Sequence, residues 1–369
     1  MVETRRNGAR TKLADVAAAV GLSQAQVSRA LAGFGDVAPA TRERVIRMAQ
    51  ELGYRPSARA RSLRQGNAAG RRCAVVLLGT TSEAFGRSAQ GGPILSGILT
   101  RAPAEGLEVH LEPVQLPQAG REAEREQAVA DAMRRLVAED RGDGFIILTP
   151  ASTTRDALVP FDEARVPYVL VNRHFDARPV NCVTVDYASA MRRAVEHLTR
   201  LGHRRLAALL PDRDSSTVRD REQGWREGVA RSGLPDSAAP IVRYADRDPA
   251  AARRAATRLF STGVPGGAGV PTGIVCHTDT IAHTALQVAA AAGLRVPQQL
   301  SVIGIEDAIA QFLTPPLCTF DCHLHQMGMA TASLLGWALE NRGVPRGARR
   351  SRRSSSVATA ARPRRGAEP

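Results

Sequence analysis

Gln24, Gln26, Ser28 and Arg29 bring amide, hydroxyl and guanidinium groups together within a short stretch near the N-terminus. Side chains of these types donate to and accept from base edges and phosphates in a major groove. The chemistry they offer is recognition, since none stands beside a general base that would activate it. A second group, Cys318, Cys322, His323 and His325 in the run CTFDCHLH, with Cys276 and His277 upstream, offers thiolate and imidazole. Such ligands suit zinc or thiol sensing. Adjacent Cys322 and His323 on an extended segment point to opposite sides, however, and the spacing matches no standard zinc site. The cysteines therefore read as small buried residues, and no metal is expected. Patterns of the GxSxG, HExxH, P-loop and strand-following GxGxxG kinds are absent, so no catalytic residue and no cofactor is expected.

The elements that must carry the first group are short helices. Val16, Ala17 and Val20 precede Gly21, and Val27, Ala30 and Leu31 follow it, giving two apolar faces that meet at a glycine able to take positive φ. Ser23 stands where an N-cap belongs. A third helical pattern starts near Pro39, stops near Gly53 and is followed by Pro56 and an Ala/Arg-rich segment ending at Gly66. A packing hairpin shares the glycine turn and the alternating faces, so the helices alone leave DNA reading and simple packing both open.

A chain of 369 residues with 43% hydrophobic residues allows two or three domains and a substantial core. No apolar run is long enough for a membrane span and no signal-peptide core follows Met1, so a cytoplasmic, nucleoid-associated protein is expected, with no membrane partner. Five irregularly spaced cysteines make no disulfide framework. The net charge of +14 is uneven: residues 1–72 carry +9, residues 345–369 carry +7, and the body between them carries −2. Basic ends on a near-neutral body suit polyanion contact at the ends, although a basic end can also be only a solvated tail.

From Cys73 onward, apolar runs such as Ala74 to Leu78, Phe145 to Leu148 and Tyr168 to Val171 alternate with helical patterns. The alternation resumes after Val183, with runs at Leu206 to Leu210, Gly273 to Cys276 and Ser301 to Ile305. Such alternation predicts parallel sheets covered by helices on both faces. Two series split near residue 172 predict two lobes. The expected fold class is thus a small all-α helix-turn-helix domain followed by a two-lobed α/β domain.

Asp15-Val16-Ala17, Val27-Ser28-Arg29, Thr41-Arg42-Glu43-Arg44-Val45, Leu52-Gly53-Tyr54-Arg55-Pro56 and Ala60-Arg61-Ser62-Leu63 stand in an order and spacing that resembles the N-terminus of the lactose-repressor (LacI/GalR) family. Gly224-Trp225, Gly293-Leu294-Arg295-Val296-Pro297 and Ser301-Val302-Ile303-Gly304 extend the resemblance to that family's periplasmic-binding-protein-like effector domain. The resemblance implies a headpiece over 10–56, a hinge helix over 57–66 and an effector-binding and dimerisation domain over 73–344. Its first lobe would be 73–172 plus 322–344 and its second 173–321. It also implies that Gln24 and Ala25 face bases, with Arg29 one turn on and Gln26 and Ser28 between them. Arg59 and Arg61 would line the minor groove, with Leu63 as an apolar wedge. For the cleft it implies Asn172, Arg221, Thr278, Asp279 and Glu306 as ligand-binding residues; Asp279 and Glu306 also suit helix or turn capping.

The function implied is a sequence-specific transcriptional regulator, a repressor, controlled by a sugar or sugar derivative and binding palindromic double-stranded DNA as a homodimer or larger oligomer. The other reading of a two-lobed α/β domain is a free sugar-binding protein or a sugar-modifying enzyme. A secreted binding protein would carry a signal peptide and lack residues 12–66, and an enzyme would turn over its ligand. Residues 345–369, with eight Arg and few large apolar side chains, are expected to be disordered.

Overall fold

The structure, a computed structural model, describes residues 11, 13–32, 35–52, 54, 72–79, 89–117, 122–148, 153–175, 180–246, 248–262, 269–314, 316–341 and 363–364. Three helices come first: α1 (Leu13–Val20), α2 (Gln24–Ala32) and α3 (Pro39–Glu51). Val16, Val27 and Val45 are fully buried and share one small core with Ala17, Val20, Ala30 and Ala49. Gly21 turns the chain between α1 and α2 at φ +67. The start of α2 is fixed by a reciprocal cap: the Gln26 backbone N–H donates to Ser23 Oγ at 3.2 Å, and Gln26 Oε1 accepts from the Ser23 backbone N–H at 3.0 Å.

The first lobe contains β1 (Arg72–Leu78), α4 (Gly91–Arg101), β2 (Leu107–Pro113), α5 (Glu122–Ala138), β3 (Gly144–Leu148), α6 (Val159–Glu163), β4 (Tyr168–Val171) and β5 (Cys182–Val183). Its sheet is parallel, in the order β2-β1-β3-β4-β5. Alternate residues of β1 face opposite sides. Ala74, Val76 and Leu78 pack with Ile94 and Ile98, whereas Cys73, Val75 and Leu77 pack with Val129, Met133 and Phe161. Covered on both faces, β1, β3 and β4 have no solvent side on which to place polar residues, which explains their unbroken apolar runs, whereas edge strand β2 is partly exposed and carries Glu108, His110 and Glu112.

The second lobe contains α7 (Tyr187–Arg200), β6 (Leu206–Asp212), α8 (Ser216–Arg231), β7 (Ile241–Ala245), α9 (Pro249–Thr262), β8 (Gly273–Cys276), α10 (Asp279–Ala291), β9 (Ser301–Glu306) and β10 (Cys318–Asp321). The final helix, α11 (Leu324–Glu340), returns to the first lobe and packs on α4, β3 and β4. Two helix crossings depend on glycine. A Cβ at Gly97 or Gly328 would lie 1.9 Å from the His325 carbonyl oxygen or 2.0 Å from that of Ile94, and one at Gly224 would lie 2.0 Å from that of Ala188. Backbone therefore touches backbone where α4 meets α11 and where α7 meets α8.

One expectation about boundaries is corrected. Strand β5 pairs in parallel with β4, so the first lobe continues past residue 172 to Val183, because the edge of its sheet still had a free ladder to fill. In the basic C-terminal stretch, Pro363–Arg364 forms a short strand, β11, antiparallel to β10. The edge of β10 offers these two residues backbone partners that need no apolar side chains, and the rest of 345–369 lies outside the described residues. Among the described residues no helix is long and apolar enough to cross a membrane.

Candidate functional site

On α2, Gln24, Ala25 and Arg29 are exposed on the outer face, opposite buried Val27 and Ala30, and Ser28 is half-buried. Gln26 is also exposed, but its Oε1 accepts from both the backbone N–H and the hydroxyl of Ser23. That carbonyl is committed to the helix start, and only the amide N–H2 of Gln26 is left for an outside partner. Arg29 Nε donates to Asp36 Oδ2 at 3.0 Å, and its Nη2 meets the same oxygen. Both side chains are about half exposed, a setting in which an ion pair contributes only about 0–1 kcal/mol and is readily exchanged. Arg59, Arg61 and Leu63 lie outside the described residues.

The second candidate site lies between the lobes. In the first sheet β1 sits between β2 and β3, and in the second β6 sits between β7 and β8. At such reversals successive connections leave on opposite faces and open a crevice at the carboxyl ends of the strands. A cavity of about 210 Å³ occupies this place; its wall residues follow a strand or open a helix, except Arg221, which reaches it from the second turn of α8. Gln90 comes from the start of α4, Asn172 from the end of β4, Arg213 from the end of β6 and His277 from the end of β8.

Several of these groups hold polar atoms that are buried and unspent. Asn172 is 8% exposed, takes φ +55, and its Oδ1 has no hydrogen-bond partner among the described residues. Arg221, on α8, is 2% exposed; its guanidinium lies 3.5 Å from the centroid of the Tyr187 ring and Nη1 donates to the Thr217 carbonyl at 3.0 Å, while Nε is unpaired. His277 Nε2 is likewise unpaired. Removal from water, then the charges of Arg221 and Arg213, hold the His277 imidazole well below its ordinary pKa, so the ring is neutral at pH 7. Glu306 ends β9 at φ +131 and accepts a hydrogen bond from Gln90 Nε2, joining the two lobes. Burial pushes its carboxyl well above the usual glutamate range, with Arg221 pulling in the opposite direction.

The structure separates the five cleft residues named from the sequence. Asn172 and Arg221 line the cavity, and Glu306 reaches it through Gln90. Thr278 does not line it: its hydroxyl accepts from the Ile281 backbone N–H at 3.3 Å as the N-cap of α10. Asp279 is fully buried away from it, accepting from the Ala308 N–H at 2.8 Å and from Thr319 Oγ1 at 2.6 Å. It ties the turn after β9 to β10. Thr278 already supplies the cap, which leaves the Asp279 carboxylate free for this cross-link. Asp279→Ala is expected to destabilise the protein by about 2–4 kcal/mol, because the buried Thr319 hydroxyl and the half-buried Ala308 N–H lose their acceptor; a urea melt unchanged from the parent would remove this structural role.

Tyr187, Arg213, Ser215, Thr217, His277 and Gln90 line the cavity and were not assigned to it from the sequence. Apart from Gln90, which precedes α4, their common signal is position, a few residues after a strand in a parallel sheet. The cysteine and histidine group does not converge. Cys276 and Cys322 are buried, and burial pushes both thiols above their ordinary pKa. His323 Nδ1 lies 3.0 Å from Asp321 Oδ2. Among the described residues no group of three or more His, Cys, Asp or Glu is placed to hold a metal ion.

A helix-turn-helix unit joined to a two-lobed α/β domain with a polar cleft at the strand ends defines a DNA-binding transcriptional regulator with a small-molecule domain. Residues 12–57 match bacterial regulatory proteins of the lacI family, and residues 195–357 match the periplasmic binding protein-like domain. The chain is 30% identical over 341 residues to the HTH-type transcriptional regulator CelR of Thermobifida fusca, covering 90% of this chain and 92% of that one. It is 27% identical over 336 residues to the HTH-type transcriptional repressor CytR of Escherichia coli K12, covering 91% and 92%. Among solved structures, a CelR–cellobiose complex superposes with a TM-score of 0.61 at 25% identity, over 91% of this chain and 95% of the other. The lac repressor dimer bound to operator and the anti-inducer ONPF gives 0.63 at 25% identity, over 91% and 94%. The chain belongs to the LacI family of bacterial transcriptional regulators.

Proposed function

We propose that this protein is a cytoplasmic repressor that binds a palindromic operator as a homodimer and changes its operator affinity when a carbohydrate occupies the cleft between the lobes. The observation that carries this reading is the convergence of unspent buried polar atoms, Asn172 Oδ1, Arg221 Nε and His277 Nε2, on one cavity at the strand ends. Buried polar groups normally have partners, and a polyhydroxyl ligand supplies donors and acceptors to all three. The cellobiose complex of CelR and the operator complex of the lac repressor support the same assignment by analogy. The cleft binds its ligand without transforming it, so the ligand is recovered intact after incubation. Gln24, Ala25 and Arg29 read bases, Ser28 and the amide of Gln26 add phosphate or water contacts, and Arg59, Arg61 and Leu63 act in the minor groove.

The test is a thermal-shift screen of sugars and sugar derivatives on the purified protein, followed by operator binding with and without the hit. A hit that leaves operator affinity unchanged would end the regulatory reading. For the DNA side, Gln24→Ala is expected to relax base preference at one position of each half-site by about 1–3 kcal/mol with an unchanged melting temperature. Gln26→Ala is expected to destabilise the headpiece by about 1 kcal/mol through loss of its cap, and so to lower its melting temperature. The two effects are separable by binding a library of operator variants alongside a melt, and an identical sequence preference for Gln24→Ala and the parent would take Gln24 out of base reading.

A further inference from the structure

We infer that the cleft is shaped for a ligand of one sugar ring that carries an anionic group, a carboxylate or a phosphate, seated against Arg213 and Arg221. The inference rests on the cleft being the effector site. Arg221 is withdrawn from water and meets the Thr217 carbonyl and the ring and hydroxyl of Tyr187, with no carboxylate within ion-pair distance among the described residues. A guanidinium in that position without a counter-ion carries a large desolvation penalty. Glu306, which meets the cavity through Gln90, feels the Arg221 charge, but burial is the stronger influence and drives that carboxyl towards its neutral form.

Arg213 lines the same cavity. Its Nη1 is held by Asp246, at 3.1 and 3.3 Å from the two carboxylate oxygens, and its Nε is buried without a partner. Arg173 follows Asn172 directly and stacks over Phe175 at 5.1 Å, with Nε and Nη1 also buried and unpaired. Arg213 and Arg221 thus keep N–H donors in reserve on one cavity, and the Arg213 charge disfavours the charged forms of both His277 in its wall and Arg173 outside it. With the Arg213 charge already paired with Asp246, sugar hydroxyls accept hydrogen bonds from such donors but leave the Arg221 charge uncancelled. An anionic group does both, and planar forks match carboxylate and phosphate oxygens two at a time. The cavity of about 210 Å³ is smaller than the roughly 300–1,000 Å³ of sites for drug-sized ligands, which suits one ring rather than two. Neutral His277 and the Asn172 amide remain to read hydroxyls.

The test is titration calorimetry of the full-length protein with matched sets: glucose, glucuronate and glucose 6-phosphate, and galactose, galacturonate and galactose 6-phosphate. At least one acid is expected to bind about tenfold or more tightly than its neutral parent sugar. Binding confined to the uronates assigns a carboxylate, and binding confined to the phosphates assigns a phosphate. Arg213→Gln is expected to bring the acid to within about threefold of its neutral parent, and Arg213→Lys, which keeps the charge, to restore part of the difference. Neutral sugars binding as tightly as the acids would overturn the anionic inference and leave the carbohydrate cleft standing. An acid advantage that survives Arg213→Gln in a protein melting like the parent would overturn the role of Arg213. If no member of either set binds to protein that still holds operator DNA, both the anionic ligand and the sugar reading fall.

Discussion

Arg221→Ala is expected to weaken effector binding on the order of 100-fold and to abolish the effector's influence on operator binding. The side chain is nearly inaccessible, its guanidinium is stacked on Tyr187, and Nε is unspent in the cavity. Losing a charged hydrogen bond to the ligand costs about 1.5–3 kcal/mol, and 100-fold corresponds to about 2.7 kcal/mol. The fold should tolerate the change, because removing a buried charge that has no ion-pair partner relieves a desolvation penalty while opening a cavity beside Tyr187. Arg221→Lys keeps the charge but loses the planar fork and the stack, so it should recover only part of the affinity. Calorimetry for the ligand, anisotropy for the operator and a thermal melt decide the matter together. A variant that melts far below the parent and loses both ligand and DNA binding would show that Arg221 is a packing residue.

The largest expected loss of stability comes from a single methyl group. Gly224→Ala places a Cβ 2.0 Å from the Ala188 carbonyl oxygen and 2.6 Å from the Ala188 carbonyl carbon and Cα, all of them backbone atoms that have no rotamer to yield. Relief requires α7 and α8 to separate. That movement would also disturb neighbouring Trp225, which is 1% exposed and donates from Nε1 to the Ala239 carbonyl at 2.8 Å. Overpacking of this kind costs about 3 kcal/mol or more, which lowers the melting temperature by roughly 6–12 °C in a domain of this size. Gly97→Ala should behave similarly in the first lobe, where its Cβ would meet the His325 backbone. Gly35→Ala is the control, since a Cβ there meets nothing within 4 Å. Equal melting of Gly224→Ala and Gly35→Ala would refute the close crossing.

The architecture was largely legible in the sequence because buried parallel strands and helical faces write themselves as local patterns. Ala74 to Leu78 reads as a strand with no knowledge of what covers it, and Gly21 with Ser23 announces a turn and a cap within three residues. The cleft was less legible because its membership depends on which strand ends meet. Asp279 and Arg221 are both polar residues shortly after a strand, and only the turn at Ala308 and the hydroxyl of Thr319 separate the structural carboxylate from the cavity-lining guanidinium. Arg213 and His277 follow β6 and β8 directly, yet nothing local marks them as converging, since a segment of more than sixty residues separates them. Gln26 shows the reverse case. Its type suited base reading, while its spacing from Ser23 also suited the reciprocal cap that takes up its carbonyl.

The glycine crossings also set the mechanics of the molecule. With backbone resting on backbone, α4 and α11 in one lobe and α7 and α8 in the other have no compliant layer of side chains through which to slide, and close-packed interiors compress little. Each lobe is therefore stiff, and among the described residues deformation collects in two straps between the lobes, from β5 into α7 and from β10 into α11, the latter containing His323 at φ +48. On the proposed function, a ligand that bridged Asn172 on one side and Arg221 on the other would load those straps as a pivot. The lever arm is the length of β1, roughly 20 Å from the cleft end at Leu78 to Arg72, where the chain arrives from the DNA-reading helices. A small rotation at the pivot is thereby delivered as a larger sideways displacement where two copies would hold their DNA.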